Sequence, residues 1–331
     1  MLKLGCKIRI WSEREVDGVV TGTEWVIRSV ESIEITGDGN TLADTCTIRL
    51  PKATQWLEGE IPIRRGDNVE VWLGYNENLK PRFIGYVKDV SAKTPTVITC
   101  EDEMMKLRQE QAKRKVYANV TLSKLLQDQF SGLSVAWKND IIGSQEVRLG
   151  LVKVEATTVA GVFQDLKQNF GVKSGFLVDE YGQPKFYTYV IYPEQRRLAG
   201  RFEEGQNIIS NSLEYRRAED VQVKVRGISI QEDNSRIEYV EGEGEERTIY
   251  RYGLTMEELK EAVSVELRRE KWSGLSGNFE TFGEPRVEKL DAVDLVVGNA
   301  KGRYQVEGVN VKFGNGGYRQ AIEVRRKFSD I

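Results

Sequence analysis

The stretch from residue 61 to residue 102 most constrains the fold, because it carries three successive strand patterns. Residues 68–74 alternate apolar and polar side chains, which is the period-two pattern of a half-buried strand. A second alternating run covers 82–90, and a third over 96–100 leads into an acidic helix start. The stretch therefore predicts an antiparallel meander.

Composition places the chain among ordinary folded proteins. Its 331 residues are enough for two or three domains, and 40% of them are hydrophobic. With 48 basic and 51 acidic residues the formal net charge is -3, which gives no support to nucleic-acid binding. The basic stretch 106–115 is interpreted as a solvated helix face, so no specific contact with DNA is expected.

The absence of histidine excludes several kinds of catalytic site. The chain contains 0 histidines, so it has no Ser-His-Asp or Cys-His nucleophile pair and no histidine-ligated metal. Carboxylate chemistry remains possible, but no catalytic residues are assigned, and no cofactor or metal is expected.

Cysteine usage and the N-terminus predict the cytoplasm as the place of synthesis and assembly. Cys6, Cys46 and Cys100 are odd in number and far apart, which favours reduced, buried thiols over a disulfide framework. No apolar run reaches the ~20 residues of a membrane helix, so membrane insertion is not expected.

The patterns divide the chain into three parts, and the predicted fold class is mainly β with an α+β insert. Residues 1–102 form a first β-barrel domain, 103–200 a small α+β domain, and 201–331 a second β-barrel domain with one helix over 255–272. Thr255 and Glu258 form a capping box that starts this helix. The acidic run 241–246 is interpreted as a solvated hairpin tip rather than a metal site.

A short echo of the meander recurs near the C-terminus. Residues 291–298 match 67–74 in the leading aspartate, the alternation and the closing glycine, and 304–311 resemble 83–90. The echo predicts two similar, tube-like barrels. Gly85 and Gly308, which this comparison treats as equivalent, are predicted to allow close backbone packing.

These motifs resemble the phage tail baseplate hub proteins of the late-control D family, which are related to the hub base of valine-glycine-repeat spike proteins in type VI secretion. The resemblance rests on Arg65–Tyr75, Arg82–Val87 and the helix opened by Thr255–Leu259, in the order barrel, insert, helix, barrel. One departure lies at Lys289–Asp291, where many relatives have a Pro-Gly turn.

The resemblance implies a structural protein rather than an enzyme. In such hubs three copies form a ring, and two barrels per copy adapt a six-fold tail tube to a three-fold spike. The expected partners are two further copies, a separate central spike protein, and tail tube or distal tail proteins. The expected location is the virion tail baseplate or a contractile injection apparatus.

Aromatic and branched side chains on the second strand face are candidates for the subunit interface, since each barrel's own core needs only one face. They are Trp72, Tyr75, Tyr86, Tyr304 and Val306. The alternative, which the usual burial of large apolar side chains favours, is that the aromatic ones belong to the core.

Two other functions remain open from the residues alone. A cell-wall glycan hydrolase would use two carboxylates, and the candidates are Asp102, Glu103, Asp291 and Asp294. A carbohydrate-binding β module would use an exposed aromatic platform, for which Trp11 and Trp56 are the candidates.

Overall fold

The computed structural model describes residues 2–16, 19–54, 61–143, 147–193 and 196–328. Trp56 lies outside the described residues. The chain is mainly β with a small α-containing insert, as the sequence predicts.

The first unit is all β and contains the predicted meander. Apolar side chains on alternate positions are buried along β3, β4 and β5, which is why these segments pair as strands. Its strands are β1 (Leu4–Val16), β2 (Val19–Ile27), β3 (Ser32–Asp38), β4 (Thr45–Arg49), β5 (Asn68–Tyr75), β6 (Asn78–Val90) and β7 (Val97–Glu101).

The insert packs helices on short strands around its own core. Thr121 and Thr158 cap its two longer helices, and Gly171 ends the second of these in the left-handed conformation at φ 65°. Its elements are α1 (Met104–Leu107), β8 (Val116–Thr121), α2 (Leu122–Phe130), β9 (Arg148–Lys153), α3 (Val159–Phe170), β10 (Lys173–Val178) and β11 (Pro184–Tyr189).

The second unit returns to β structure and carries a three-stranded side sheet with one helix. Its own strands are β12 (Leu198–Glu203), β13 (Ile208–Asn211), β14 (Glu214–Arg216), β18 (Gly274–Phe282), β19 (Ala292–Val297), β20 (Ala300–Gly314) and β21 (Gly317–Lys327). The side sheet consists of β15 (Val223–Ile230), β16 (Arg236–Gly242) and β17 (Glu245–Tyr252), and α4 (Met256–Glu270) packs on it.

The predicted capping box of α4 is present. The Thr255 hydroxyl accepts from the Glu258 N–H, and the Glu258 carboxylate accepts from the Thr255 N–H at 3.0 Å.

The acidic run 241–246 is not a hairpin tip, and that prediction is wrong. β15 lies between β16 and β17, antiparallel to the first and parallel to the second, so the run crosses the end of β15. Gly242 and Gly244 have positive φ, and a Cβ at Gly244 would lie 2.4 Å from the backbone of Gln222. Alternation identifies strands but does not identify their neighbours, so the sequence could not show this crossing.

The two units repeat one pattern of strand pairing. In the first unit the order is β5-β6-β7-β4-β3, and in the second it is β19-β20-β21-β18-β13, with every neighbouring pair antiparallel. The sequence echo therefore corresponds to a repeated five-strand unit.

The strand registers correct the alignment of the two glycines. A bulge at Lys88 in β6 matches a bulge at Glu307 in β20, so Val87 aligns with Val306. Gly308 is consequently equivalent to Asp89, and Gly85 is equivalent to Tyr304. Gly308 therefore does not occupy the position of Gly85. The sequence could not show this, because alternation does not reveal which residue a bulge has added.

The two units are continuous with each other. β3 of the first unit pairs with β20 of the second, from Ser32 opposite Gly314 to Asp38 opposite Gly308. One core of buried side chains extends through both units, while the insert has a separate core between Met104 and Phe186.

No α-helix in the described ranges has the length and apolar character needed to cross a membrane.

Candidate assembly surface

The turn that precedes the meander is built identically in the two units. In the first, the Asp67 carboxylate accepts from the Arg64 N–H at 2.8 Å, and in the second Asp291 accepts from the Glu288 N–H at 2.8 Å. Gly66 has φ 90°, and Leu290 occupies the same position at φ 68°. The turn therefore forms at Lys289–Asp291 without the Pro-Gly pair, with a leucine in the left-handed region.

The same turn carries a lysine into the boundary between the units and the insert. The Lys289 ammonium contacts the Asp44 carboxylate of the first unit at 2.5 Å and lies 5.3 Å from the ring centre of Tyr187 in the insert. The Lys289 side chain is 3% exposed. Asp102 accepts from the Asp44 N–H at 2.8 Å and completes the cluster.

The electrostatics of this cluster favour a charged lysine. Burial alone lowers the pKa of Lys289, but attraction to Asp44, followed by the contribution of Tyr187, raises it above its usual range. Burial raises the pKa of Asp102 well above its usual range, and repulsion by Asp44 adds to this. Lys289 is thus the counter-ion of the half-buried Asp44 carboxylate, with the buried Asp102 carboxyl beside that pair.

A second buried ionic group also joins the two units. Arg82 of β6 donates through Nη2 to the Gln320 side chain of β21 at 3.4 Å, and its Nη1 lies 3.6 Å from Glu288. Burial raises the pKa of Glu288, but Arg286 and Arg82 together hold it below its usual range. Together with the β3·β20 ladder, these contacts fix the relative orientation of the units.

Three of the five interface candidates are buried within the chain. Tyr304 and Val306 lie in the common core, and Tyr86 donates to Glu103 at 2.5 Å. Tyr75 and Trp72 are half-buried: the Tyr75 hydroxyl donates to the Tyr318 carbonyl at 3.2 Å, and Trp72 faces the insert at Gly182. The second strand face is therefore largely covered by the chain itself.

The two glycines differ in the space around them. A Cβ at Gly85 would lie 2.2 Å from the Glu101 carbonyl oxygen, which is far inside van der Waals contact. A Cβ at Gly308 would lie 3.0 Å from the Gly37 carbonyl oxygen, at the β3·β20 junction.

The carboxylates considered for hydrolysis each have a structural partner. Asp102 accepts from the Met104 N–H at the start of α1, and Glu103 accepts from the Tyr86 hydroxyl. Asp291 pairs with Arg197, and Asp294 accepts from Arg303 Nε at 2.9 Å.

Trp11, a candidate for an aromatic platform, lies under the Arg9 guanidinium, which is 4.5 Å from the ring centre. In the part of the chain that the structure describes, no group of three or more Cys, Asp or Glu residues is placed to hold a metal ion.

Sequence reasoning missed Lys289, Asp44 and Arg82. Charged residues are normally placed on the surface, and no local pattern marks Lys289 and Arg82 as buried or Asp44 as half-buried. The one signal in the sequence was the departure from the family's Pro-Gly turn at Lys289–Asp291, which marks this turn as unusual.

Comparison with known proteins identifies the fold. No protein-family model matches the sequence, and no curated protein matches it significantly. Solved structures do match along almost the whole chain. A 43 kDa tail protein of prophage MuSo2 from Shewanella oneidensis has a TM-score of 0.63 at 14% identity, covering 97% of this chain and 98% of its own.

Two further structures extend this likeness. A tail protein from Neisseria meningitidis has a TM-score of 0.65 at 11% identity, covering 97% of this chain and 96% of its own. An E. coli component of the type VI secretion system, described as similar to the T4 tail proteins gp27 and gp5, has a TM-score of 0.57 at 10% identity, covering 91% and 74%. The predicted resemblance is confirmed at the level of the fold.

Proposed function

We propose that this protein is a structural hub of a phage tail baseplate or of a related contractile injection machine. Three copies form a ring that adapts a six-fold tail tube to a three-fold spike. Its partners are two further copies, a separate spike protein, and tail tube or distal tail proteins. Assembly takes place in the bacterial cytoplasm, and the mature location is the tail.

The observation that carries this proposal is the repeated five-strand unit. Two units in one chain share the same strand order and are joined edge to edge through β3 and β20. Three chains joined in the same way contain six similar units around one axis. Such a ring presents six similar faces on one side while retaining the three-fold symmetry of its chains, which is what a symmetry adaptor requires.

The likeness to tail proteins supports the same proposal. The fold is shared along nearly the full length of two tail proteins, one of them from a prophage, and it is shared with a type VI secretion component. The buried ionic groups around Lys289 and Arg82 suit a rigid ring component, because they hold the two units in one orientation.

Sedimentation and electron microscopy of the purified chain test this function. We expect a trimer whose particles are rings with three-fold symmetry and an approximate six-fold outline. A chain that stays monomeric up to about 100 µM and that releases sugars from purified cell walls would contradict the hub and support a hydrolase.

A further inference from the structure

Two of the unpartnered strand edges in the described ranges lie on the repeated five-strand units. β14 pairs with β18 along one side only, and Tyr215 at its centre is 58% exposed. The second edge belongs to residues 88–91 on the β5 side of β6. Pairing on that side ends at Val87, whose N–H donates to the Asp67 carbonyl at 2.8 Å.

Each of these edges has a counterpart in the other unit. Cys46 lies opposite Cys100 in the first unit, and Gly277 lies opposite Val324 in the second. β3 pairs with β4 in the first unit, and β14 pairs with the corresponding strand β18 in the second. The register therefore aligns Thr36–Asp38 of β3 with Glu214–Arg216 of β14. The bulge alignment likewise matches 89–91 with 308–310.

The counterparts pair with each other inside the chain. Asp38 lies opposite Gly308, Gly37 opposite Val309, and Thr36 opposite Asn310. The chain therefore contains one complete copy of a junction and, at its two free edges, the two halves of another.

We propose that β14 of one copy pairs, antiparallel, with residues 89–91 of a second copy. By analogy with β3·β20, Arg216 lies opposite Asp89, Tyr215 opposite Val90, and Glu214 opposite Ser91. This inference rests on the proposed ring and names the surfaces that close it.

Backbone geometry at the free edge fits this pairing. The Ser91 N–H donates to the Val97 carbonyl at 2.8 Å, on the β7 side of the strand. Because successive residues of a strand direct their hydrogen-bonding groups to opposite sides, the N–H and C=O of Val90 point to the open side. An added strand supplies partners to these groups.

Side-chain chemistry favours the same register. Asp89 is exposed and negative, and it faces Arg216 of the other copy. Arg216 already lies over Trp272 and donates through Nη2 to the Glu270 carbonyl, but a guanidinium has five N–H groups and can also bind a carboxylate. Tyr215 would cover the half-buried Val90, as cross-strand pairs do.

The geometry also identifies a second copy as the occupant. Each chain offers one edge of each kind, so the contact is heterologous and repeats head to tail until it closes. A pairing of only three residues is short, and ring closure adds the avidity that a single such contact lacks.

Engineered cysteines test the register directly. Ser91→Cys with Glu214→Cys places two thiols on directly opposite residues, where mild oxidation should give covalent dimers and trimers on a non-reducing gel. The native cysteines are free and buried, so they do not compete. In the control, Ala92→Cys with Glu214→Cys, a one-residue shift moves one thiol to the other face and should abolish cross-linking.

Charge reversal supplies an independent test by sedimentation. Asp89→Lys should weaken trimer formation at least tenfold, and adding Arg216→Glu should restore it. Glu243→Lys makes the same change in net charge at an exposed residue that belongs to neither edge and should have no effect. Circular dichroism melts confirm that each variant is folded.

The outcomes separate this inference from the function on which it rests. If the wild-type chain is a trimer but the Ser91 and Glu214 cysteines fail to cross-link and Asp89→Lys assembles normally, the proposed edges are wrong and the hub stands. If the wild-type chain is monomeric at every concentration and forms no cross-link, both fall. In-register cross-linking with charge rescue supports both.

Discussion

Replacing Lys289 with methionine should destabilise the protein strongly, because it removes the counter-ion of Asp44 beside the buried Asp102 carboxyl. Methionine preserves most of the side-chain volume, so the change is mainly in charge. The ammonium is 3% exposed and lies 2.5 Å from Asp44, and Asp102 is buried beside it. Breaking a buried ion pair by removing one partner costs about 3–5 kcal/mol, and we expect a loss of this size near neutral pH.

The size of the loss should increase as pH rises above the ordinary range of carboxyl pKa values. In the folded wild type the pKa of Asp102 is already raised, chiefly by burial, so the folded state binds its proton more tightly than the unfolded state. Stability from such a group is present below the unfolded pKa and is lost as pH rises through the folded pKa. Removing the lysine raises the pKa of these carboxyl groups in the folded state further. The variant therefore continues to lose stability up to a higher pH than the wild type does. Since the pKa of Lys289 is also raised, its charge in the wild type stays constant over this range.

Chemical denaturation at several pH values measures both effects. The control is Lys312→Met, whose ammonium is 73% exposed and 3.9 Å from Glu34; its loss should stay below about 0.5 kcal/mol. Adding Asp44→Asn to Lys289→Met should recover part of the stability, because it removes the carboxylate that the lysine no longer neutralises. A loss for Lys289→Met below about 1 kcal/mol, or one that shrinks as pH rises, would refute the reasoning.

Two further predictions concern local geometry. Gly85→Ala should lower the free energy of unfolding by about 1–3 kcal/mol, because its Cβ would lie 2.2 Å from a carbonyl oxygen, and Gly308→Ala should cost less, since its nearest contact is 3.0 Å. Gly316→Ala, where a Cβ meets nothing within 4 Å, should change stability by less than about 0.5 kcal/mol; equal losses in all three by urea denaturation would contradict this. Thr255→Ala should cost about 1 kcal/mol through loss of the α4 cap, whereas Thr255→Ser should be nearly neutral; identical thermal melts of the two variants would argue against it.

Local patterns in the sequence were sufficient where the structure is determined locally. The capping box at Thr255 fixes the start of α4, and alternation over 68–74 fixes β5, because each depends on residues close in the chain. The echo between 67–74 and 291–298 was detectable for the same reason: Asp67 and Asp291 make the same turn with neighbours three residues away.

Features that depend on distant contacts could not be predicted. The pairing of β3 with β20 joins segments at opposite ends of the chain, and neither segment records the identity of its neighbour. The two apolar faces of its strand make Tyr304 a candidate for a subunit interface, but such faces are equally required when a chain covers both sides of a sheet itself, as it does here.

The ladder between β3 and β20 has a mechanical consequence. It runs along all 7 residues of β3 and connects the first and last thirds of the chain. A force that pulls the two units apart along the strands acts on all of these hydrogen bonds at once, so they must break together rather than in succession. A chain joined in this way transmits load between its halves as a single stiff element, with no hinge where a linker would otherwise bend.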